Sequence, residues 1–310
     1  MMTKNKFLLI GGEGFLGKGL QEELSNKCIR YKSIDIHNYD LTKPENIQYL
    51  VNDLHDITHI VLLASKVGAY LFEDEENAKQ AGIENRLIFE NVIEAVKTAY
   101  SIYKKQFVFI YYSSCEIFWS LKNKKTYIDL DTPVNYNMDI TRSCYAHEKY
   151  RAEQVLKKLH EENTCLKSVR ILRPFNISGK YEQRGVVYYM LYSALKTNTI
   201  CYNRDTTRTI TPDWIARQLA VEYSLIDNNE YSVHHLVDSN NSFTLKWLAT
   251  MIKYVLEEKY GFKNIKLKSN KPDKTIRYRQ TCKINKLKHV YYFLPKLELI
   301  IERIINDIRI

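Results

Sequence analysis

The first half of the chain alternates short, continuously apolar runs with longer amphipathic ones. Residues 7–10, 31–36, 59–64, 107–112 and 166–172 predict strands. Between them, residues 15–24, 44–53, 76–103 and 145–161 carry apolar positions at helical spacing. Strands that are apolar along their whole length are strands covered on both faces. Interleaved with helices, they predict an α/β fold on a doubly wound parallel sheet.

After Pro174 the alternation loosens. Residues 179–185 and 203–212 read as loops, and residues 247–258 as a helix. Residues 298–310 place Ile300, Ile301, Ile304, Ile305 and Ile308 on one helical stripe, which predicts core packing rather than a membrane or partner face. The expected division is a first domain over 1–175 and a smaller C-terminal α/β lobe over 176–310, with segments free to interleave.

Composition narrows the classes. The 24 Tyr and 11 Phe are too many for a solvated, disordered chain. No apolar run approaches the roughly 18 residues that span a bilayer, and the N-terminus runs directly into a strand and glycines, unlike a signal peptide. A cytoplasmic protein with no membrane partner is expected. The net charge is +10, from 46 Lys+Arg against 36 Asp+Glu. Because those cations are spread evenly, with no Arg stripe, they predict a solvated basic surface and an anionic substrate rather than nucleic acid. Six cysteines without a C-x-x-C spacing give no reason to expect disulfides or a metal site.

Chemistry concentrates at three places. Gly12-Glu13-Gly14-Phe15-Leu16-Gly17 follows the first strand and opens a helix. There, glycines permit a tight turn and close approach of a pyrophosphate, and the helix N-terminus supplies amide donors. Asp35 ends the second strand, where an acidic residue bonds the adenosine ribose and repels a 2′-phosphate. The pattern predicts a Rossmann-type sheet that binds NAD in preference to NADP; a glycine turn with a capping Asp is the structural alternative. Tyr145-Ala146-His147-Glu148-Lys149 sets a phenol and an ammonium on one helix face. A nearby cation lowers a phenol's pKa, as a phenolate base requires, although a solvated face is the commoner reason for such spacing. Ser113-Ser114 follows the fourth strand at its carboxyl end, where ligands of such sheets bind and where serines also serve as caps.

In this order the motifs resemble the extended short-chain dehydrogenases/reductases, the nucleotide-sugar epimerases, dehydratases and reductases. Asp40-Leu41 is similar to the family's adenine contact, and HIVLLAS (59–65) to its third strand. Asn85 and Asn91 resemble its following helix, SSCEIFW its serine segment, Arg173-Pro174-Phe175-Asn176 its turn beside the nicotinamide, and Arg208-Thr209-Ile210 its diphosphate grip. The resemblance implies cofactor contacts from Gly11, Gly14, Phe15, Leu16, Asp35, Asp40, Leu41, Leu63, Ala64, Ser65, Tyr145, Lys149 and Pro174. It implies substrate contacts from Ser114, Asn176 and Arg208, and catalysis by Ser114, Tyr145 and Lys149. Tyr145 would take the C4 hydroxyl proton as hydride leaves for NAD. Trp119 stands where the family has Gly, and Ser65 where it has Ala; both bear on the sugar pocket.

The family's later steps need further acids and bases. Cys115 stands where the 4,6-dehydratases carry an Asp, and a thiol is a poor proton donor for a departing hydroxyl. Lys66-Val67-Gly68 and Ser113-Ser114-Cys115 resemble GDP-fucose synthases, yet no His lies between His160 and His234 to serve their epimerisation. Cys115 reads as a buried inert thiol or as a lone acid/base. The expected reaction is C4 oxidation of a GDP-linked hexose or heptose to a 4-keto sugar, in the manner of GDP-heptose C4 dehydrogenases of capsule pathways. A C4 epimerase and a non-catalytic NAD-binding regulatory subunit are the alternatives. The resemblance also implies a homodimer through helices 76–103 and 145–161, with Leu87, Ile88, Val92 and Val96 at the interface or, on the competing reading, against the chain's own sheet.

Overall fold

The computed structural model describes residues 5–67, 75–118, 128–134, 140–203, 207–226, 228–238, 242–270 and 289–308. The elements begin with β1 (Lys6–Ile10), α1 (Phe15–Asn26), β2 (Arg30–Ile34), a 3-10 turn at Pro44–Asn46 running into α2 (Ile47–Asp53), β3 (His59–Leu62) and α3 (Glu75–Tyr103). Next come β4 (Phe107–Tyr112), a 3-10 turn at Cys115–Phe118, α4 (Ile140–Glu161) and β5 (Leu166–Pro174). They continue with β6 (Ile177–Ser178), α5 (Val186–Thr197), β7 (Thr199–Asn203), β8 (Thr207–Thr209), β9 (Thr211–Pro212) and α6 (Asp213–Ser224). The last are β10 (Tyr231–Leu236), β11 (Ser242–Thr244), α7 (Leu245–Tyr260), β12 (Lys266–Asn270) and α8 (His289–Asp307).

The chain forms two compact units: one of Met1–Trp119, Val134–Pro174 and Arg217–Leu236, the other of Ser120–Pro133, Phe175–Ala216 and Val237–Ile310. The first unit holds a six-stranded sheet in the order β10-β5-β4-β3-β1-β2, parallel throughout. Its central strands, FLLI and HIVL among them, are buried on both faces, whereas β2 alternates exposed and partly buried residues as an edge strand does. From β1 the chain adds β2 outward and then returns to pair β3 on β1's other side. The carboxyl ends of β1 and β3 are therefore the switch point of a doubly wound sheet, where a ligand crevice forms.

Val92, Val96 and Ala99 of α3 are fully buried in the cluster formed with Leu8, Ile60 and Phe109 of the sheet. Ile88 belongs to the same core, so three of the four positions read as a dimer face are taken by the chain's own fold. A helix-bundle dimer would have to draw on other positions of α3, where Ile83 and Ile102 are exposed.

The second unit has its own core, in which Leu191 of α5, Leu248 and Ile252 of α7, and Ile300, Ile301 and Ile304 of α8 are fully buried. Ile305 and Ile308 pack against it, as the stripe predicts. Residues 203–212 are not a plain loop: they carry the end of β7, then β8 and β9, which pair with β12, β11 and β6. A boundary at 175/176 is also too simple, because residues 217–236 return to the first unit and supply β10. That strand hides in the sequence because YSVHHL is only partly buried over most of its length and carries two histidines.

Candidate active site

At the switch point, Gly11 has φ +90° and leaves no room for a side chain, since a Cβ there would lie 2.5 Å from the Ala64 backbone nitrogen. Leu63 and Ala64 both donate to the Ile10 carbonyl, at 2.9 and 2.8 Å, which locks the end of β3 against β1. Gly17 is required for a different contact: a Cβ would sit 2.4 Å from the Gly12 carbonyl oxygen, so the helix could not close on the turn. Gly14 differs from both. A Cβ there would meet only the Gly11 carbonyl oxygen at 3.5 Å, an ordinary contact, so the chain's own packing does not demand glycine.

Gly14 is also the N-cap of α1, and it gives that helix no side-chain cap; the first turn, with Phe15 and Leu16, has no acidic residue. The helix's positive end thus has neither a side-chain cap from Gly14 nor an acidic residue in its own first turn, and the capping residue is small. Such a cradle fits a dinucleotide's pyrophosphate.

Asp35 lies beside this turn. Its carboxylate accepts from the Glu13 amide at 3.0 Å and from the Ile36 amide at 2.8 Å, which ties the end of β2 to the glycine loop. Asp40 turns inward on its own loop, accepting from the Thr42 amide and hydroxyl at 2.9 and 2.7 Å, and these bonds hold its carboxyl below the usual range. Asn91 of α3 donates to the Leu41 carbonyl at 2.8 Å and fixes the segment in place. Asn85, one of the helix's buried polar residues, accepts from the Ser65 hydroxyl at 3.0 Å and the Lys66 amide at 2.7 Å. The Ser65 hydroxyl is thereby engaged with α3. Gly68 and Trp119 lie outside the described residues.

The proposed catalytic residues meet at the carboxyl end of β4. Ser113 and Ser114 follow the strand directly, and Ser113 donates its amide to the Leu172 carbonyl of β5 at 2.8 Å. The Ser114 hydroxyl accepts from the Glu116 amide at 3.1 Å and lies close enough to the Tyr145 phenol to draw its pKa down. From one turn further along α4, the buried Lys149 donates to the Tyr112 carbonyl at 2.7 Å. Its ammonium lies 4.9 Å from the centroid of the Tyr111 ring and 5.7 Å from that of Tyr145. The geometry therefore brings Ser114, Tyr145 and Lys149 together.

The electrostatics differ from the simple sequence reading in one respect. Burial pushes the Tyr145 phenol well above its ordinary range, with Glu116 and Cys115 adding to the push and the nearby Ser114 hydroxyl opposing it. Lys149 is itself affected: burial pulls its ammonium down to about 7, against the opposing pull of Glu153. The lysine's donor is directed at the Tyr112 carbonyl, not at the phenol. Lowering of the phenol's pKa by Lys149 is therefore not a property of this arrangement of the chain alone.

Pro174 closes β5 opposite Leu236 of β10. Asn176 and Arg208 belong to the second unit. There the Asn176 carbonyl accepts from the Thr211 amide at 3.2 Å, and Arg208 lies on β8 opposite Phe243 of β11. Glu153, which sequence reasoning passed over, is a buried carboxylate on the same helix face as Tyr145 and Lys149. Its only signal was the spacing, one turn beyond Lys149.

The chain shares its fold with solved nucleotide-sugar enzymes. The UDP-glucose 4-epimerase of Thermus thermophilus in complex with NAD is 16% identical over 98% of this chain and 100% of that one, with a TM-score of 0.76. A NAD-dependent NDP-hexosamine 5,6-dehydratase of tunicamycin biosynthesis is 17% identical over 96% and 97%, with a TM-score of 0.74. A GDP-L-fucose synthetase from Naegleria fowleri bound to NADP is 14% identical over 99% and 95%, with a TM-score of 0.67. At these identities the likeness is one of fold. No curated protein matches the chain. The sequence profile of the NAD dependent epimerase/dehydratase family matches residues 7–211, two thirds of the length and every element of the proposed catalytic set. The chain belongs to the NAD-dependent epimerase/dehydratase family.

Proposed function

We propose that the protein uses NAD to oxidise C4 of the sugar in a nucleotide-linked sugar, giving a 4-keto sugar nucleotide that keeps its 6-hydroxyl. The observation that carries this reading is the Ser114 hydroxyl close to the Tyr145 phenol, beside the buried Lys149, whose ammonium lies 5.7 Å from the Tyr145 ring centroid, at the end of β4. Bound NAD supplies the hydride acceptor. Ser114 orients the C4 hydroxyl, Tyr145 takes its proton, and Lys149 holds the nicotinamide ribose. Asn176 and Arg208 are the proposed substrate contacts of the second unit, on the strength of the motif resemblance. The likeness of Lys66-Val67 and Ser113-Ser114-Cys115 to GDP-fucose synthases favours a GDP-linked hexose or heptose.

A C4 epimerase would use the same three residues and differ only in returning the hydride. The assembly of all three in one place speaks against a purely regulatory NAD-binding subunit. A further reading has one observation in its favour: Cys115 and Glu116 both lie near enough to Tyr145 to raise its pKa, so an additional acid or base is within reach for elimination. Incubation with NAD and a panel of GDP- and UDP-sugars separates these readings by product mass and C4 configuration. No consumption of any sugar across the panel would count against an enzymatic role.

Preference for NAD over NADP rests on Asp35, held beside the glycine turn by Glu13 and Ile36. Titration calorimetry is expected to give tighter binding of NAD than of NADP. Asp35→Ala should weaken NAD binding by about 1–3 kcal/mol, the size of a lost charge-assisted bond, and narrow the gap between the cofactors. Equal affinity of the wild-type protein for both would contradict the assignment.

A further inference from the structure

Between the serine segment and α4 lies a carboxylate that none of the proposed steps uses. Glu153 is fully buried. Ser113 donates its hydroxyl to Oε1, and Arg173 donates Nε to Oε1 at 3.0 Å and a terminal nitrogen to Oε2 at 2.6 Å. The same guanidinium lies 5.3 Å from the Phe118 ring centroid, at the far end of the turn that begins at Cys115. Three elements that carry the site (the ends of β4 and β5, and α4) therefore meet at one side chain.

We propose that Glu153 is a positioning residue of this site, binding the Ser113–Ser114 strand end and the Arg173 strand end to the helix that presents Tyr145 and Lys149, one turn along that helix from Lys149. The inference rests on the reading that Lys149 holds the cofactor ribose. The groups facing Glu153 are Lys149 on α4, Arg173 on β5, Ser113 and Tyr111 at β4, and Tyr231 on β10. Of these, Lys149 titrates nearest neutrality, because burial draws it down to about 7 and Glu153 opposes that pull. A neutral residue at 153 leaves burial unopposed, so the ammonium loses its proton at lower pH. A buried Glu–Arg pair that serves only to hold the fold predicts something different: a loss that does not depend on pH.

The test is NADH affinity, read by fluorescence titration of the full chain from pH 5.5 to 8.5. It needs no sugar turnover, so its outcome is independent of whether C4 oxidation is the reaction. In the wild type, affinity is expected to fall as pH rises through the lysine's titration. In Glu153→Gln the same fall should begin about one pH unit lower, making binding about tenfold weaker at pH 7.5 and within about twofold of wild type at pH 5.5. Lys149→Met should lack this pH-dependent fall, and adding Glu153→Gln to it should not restore one. If the lone buried charge of Arg173 unfolds Glu153→Gln, the double variant Glu153→Gln/Arg173→Met removes both charges, and the same pH comparison applies. Equal weakening at every pH, or an unchanged profile, would overturn the proposal.

Discussion

Tyr145→Phe is expected to lower turnover of a nucleotide sugar by about 10²–10⁴-fold, the value of a positioned general base. The unfolding midpoint and NADH affinity should stay near wild type, because the substitution removes only the phenol oxygen and retains the ring. The pH dependence gives a second, independent readout. A base acts in its deprotonated form, and burial here raises the phenol's pKa, with Glu116 and Cys115 pushing the same way. The gain from deprotonation therefore lies on the alkaline side, and wild-type kcat/KM should climb as pH rises above neutrality. The phenylalanine variant should lack that climb. Wild-type turnover in the variant, or the same slope, would remove Tyr145 from the chemistry.

Arg170→Met is expected to cost about 3–5 kcal/mol of stability, in the range of breaking a buried charged contact. Arg170 is fully buried on β5, and its guanidinium donates to four backbone carbonyls: Val169 at 3.2 Å, Glu230 at 2.6 Å, Ile226 at 3.0 Å and Asn228 at 3.1 Å. Three of these belong to the segment that leads into β10. A methionine fills similar space but donates nothing, and each carbonyl left without a partner costs about 1–3 kcal/mol before relaxation. Urea unfolding at unchanged m-value would measure the loss, and hydrogen exchange should show β10 opening first. A change below about 1 kcal/mol would mean that water replaces the guanidinium at these carbonyls.

That contact also explains what could not be read from the residues in order. Strands such as FLLI and FVFIYY are buried on both faces, so hydrophobicity alone marks them. The sheet's outer strand YSVHHL is held instead by pairing with β5 and by a guanidinium some 60 residues earlier, signals with no local period. The same holds at the site. Gly11 and Gly14 fall in one short motif, and Tyr145 and Lys149 in another, so the tight turn and the shared helix face were legible from spacing. Glu153 has two of its partners on other strands, and only folding brings Ser113 and Arg173 to it. The apolar face of α3 posed the opposite difficulty: its period was clear, but period does not say whether the face meets the chain's own fold or a second copy. Ile88, Val92 and Val96 belong to the chain's own core, together with Leu8, Ile60 and Phe109 of the sheet.

The proposed reaction turns on what leaves the sugar, and the influence of Cys115 and Glu116 on Tyr145 makes that the decisive question. Cys115 is buried, and by the sequence resemblance it stands where the 4,6-dehydratases carry an Asp, a better proton donor to a departing hydroxyl than a thiol. The most direct test is mass spectrometry of the sugar nucleotide after turnover with NAD in deuterated water. The expected product is about two mass units lighter than its substrate, as for oxidation of an alcohol to a ketone, with the 6-hydroxyl retained and no solvent deuterium at C3 or C5. A product of unchanged mass and inverted C4, again without deuterium, would select the epimerase alternative from the same residues. Loss of about 18 mass units, or deuterium at C3 or C5, would contradict the account and assign Cys115 or Glu116 an active part in elimination or epimerisation.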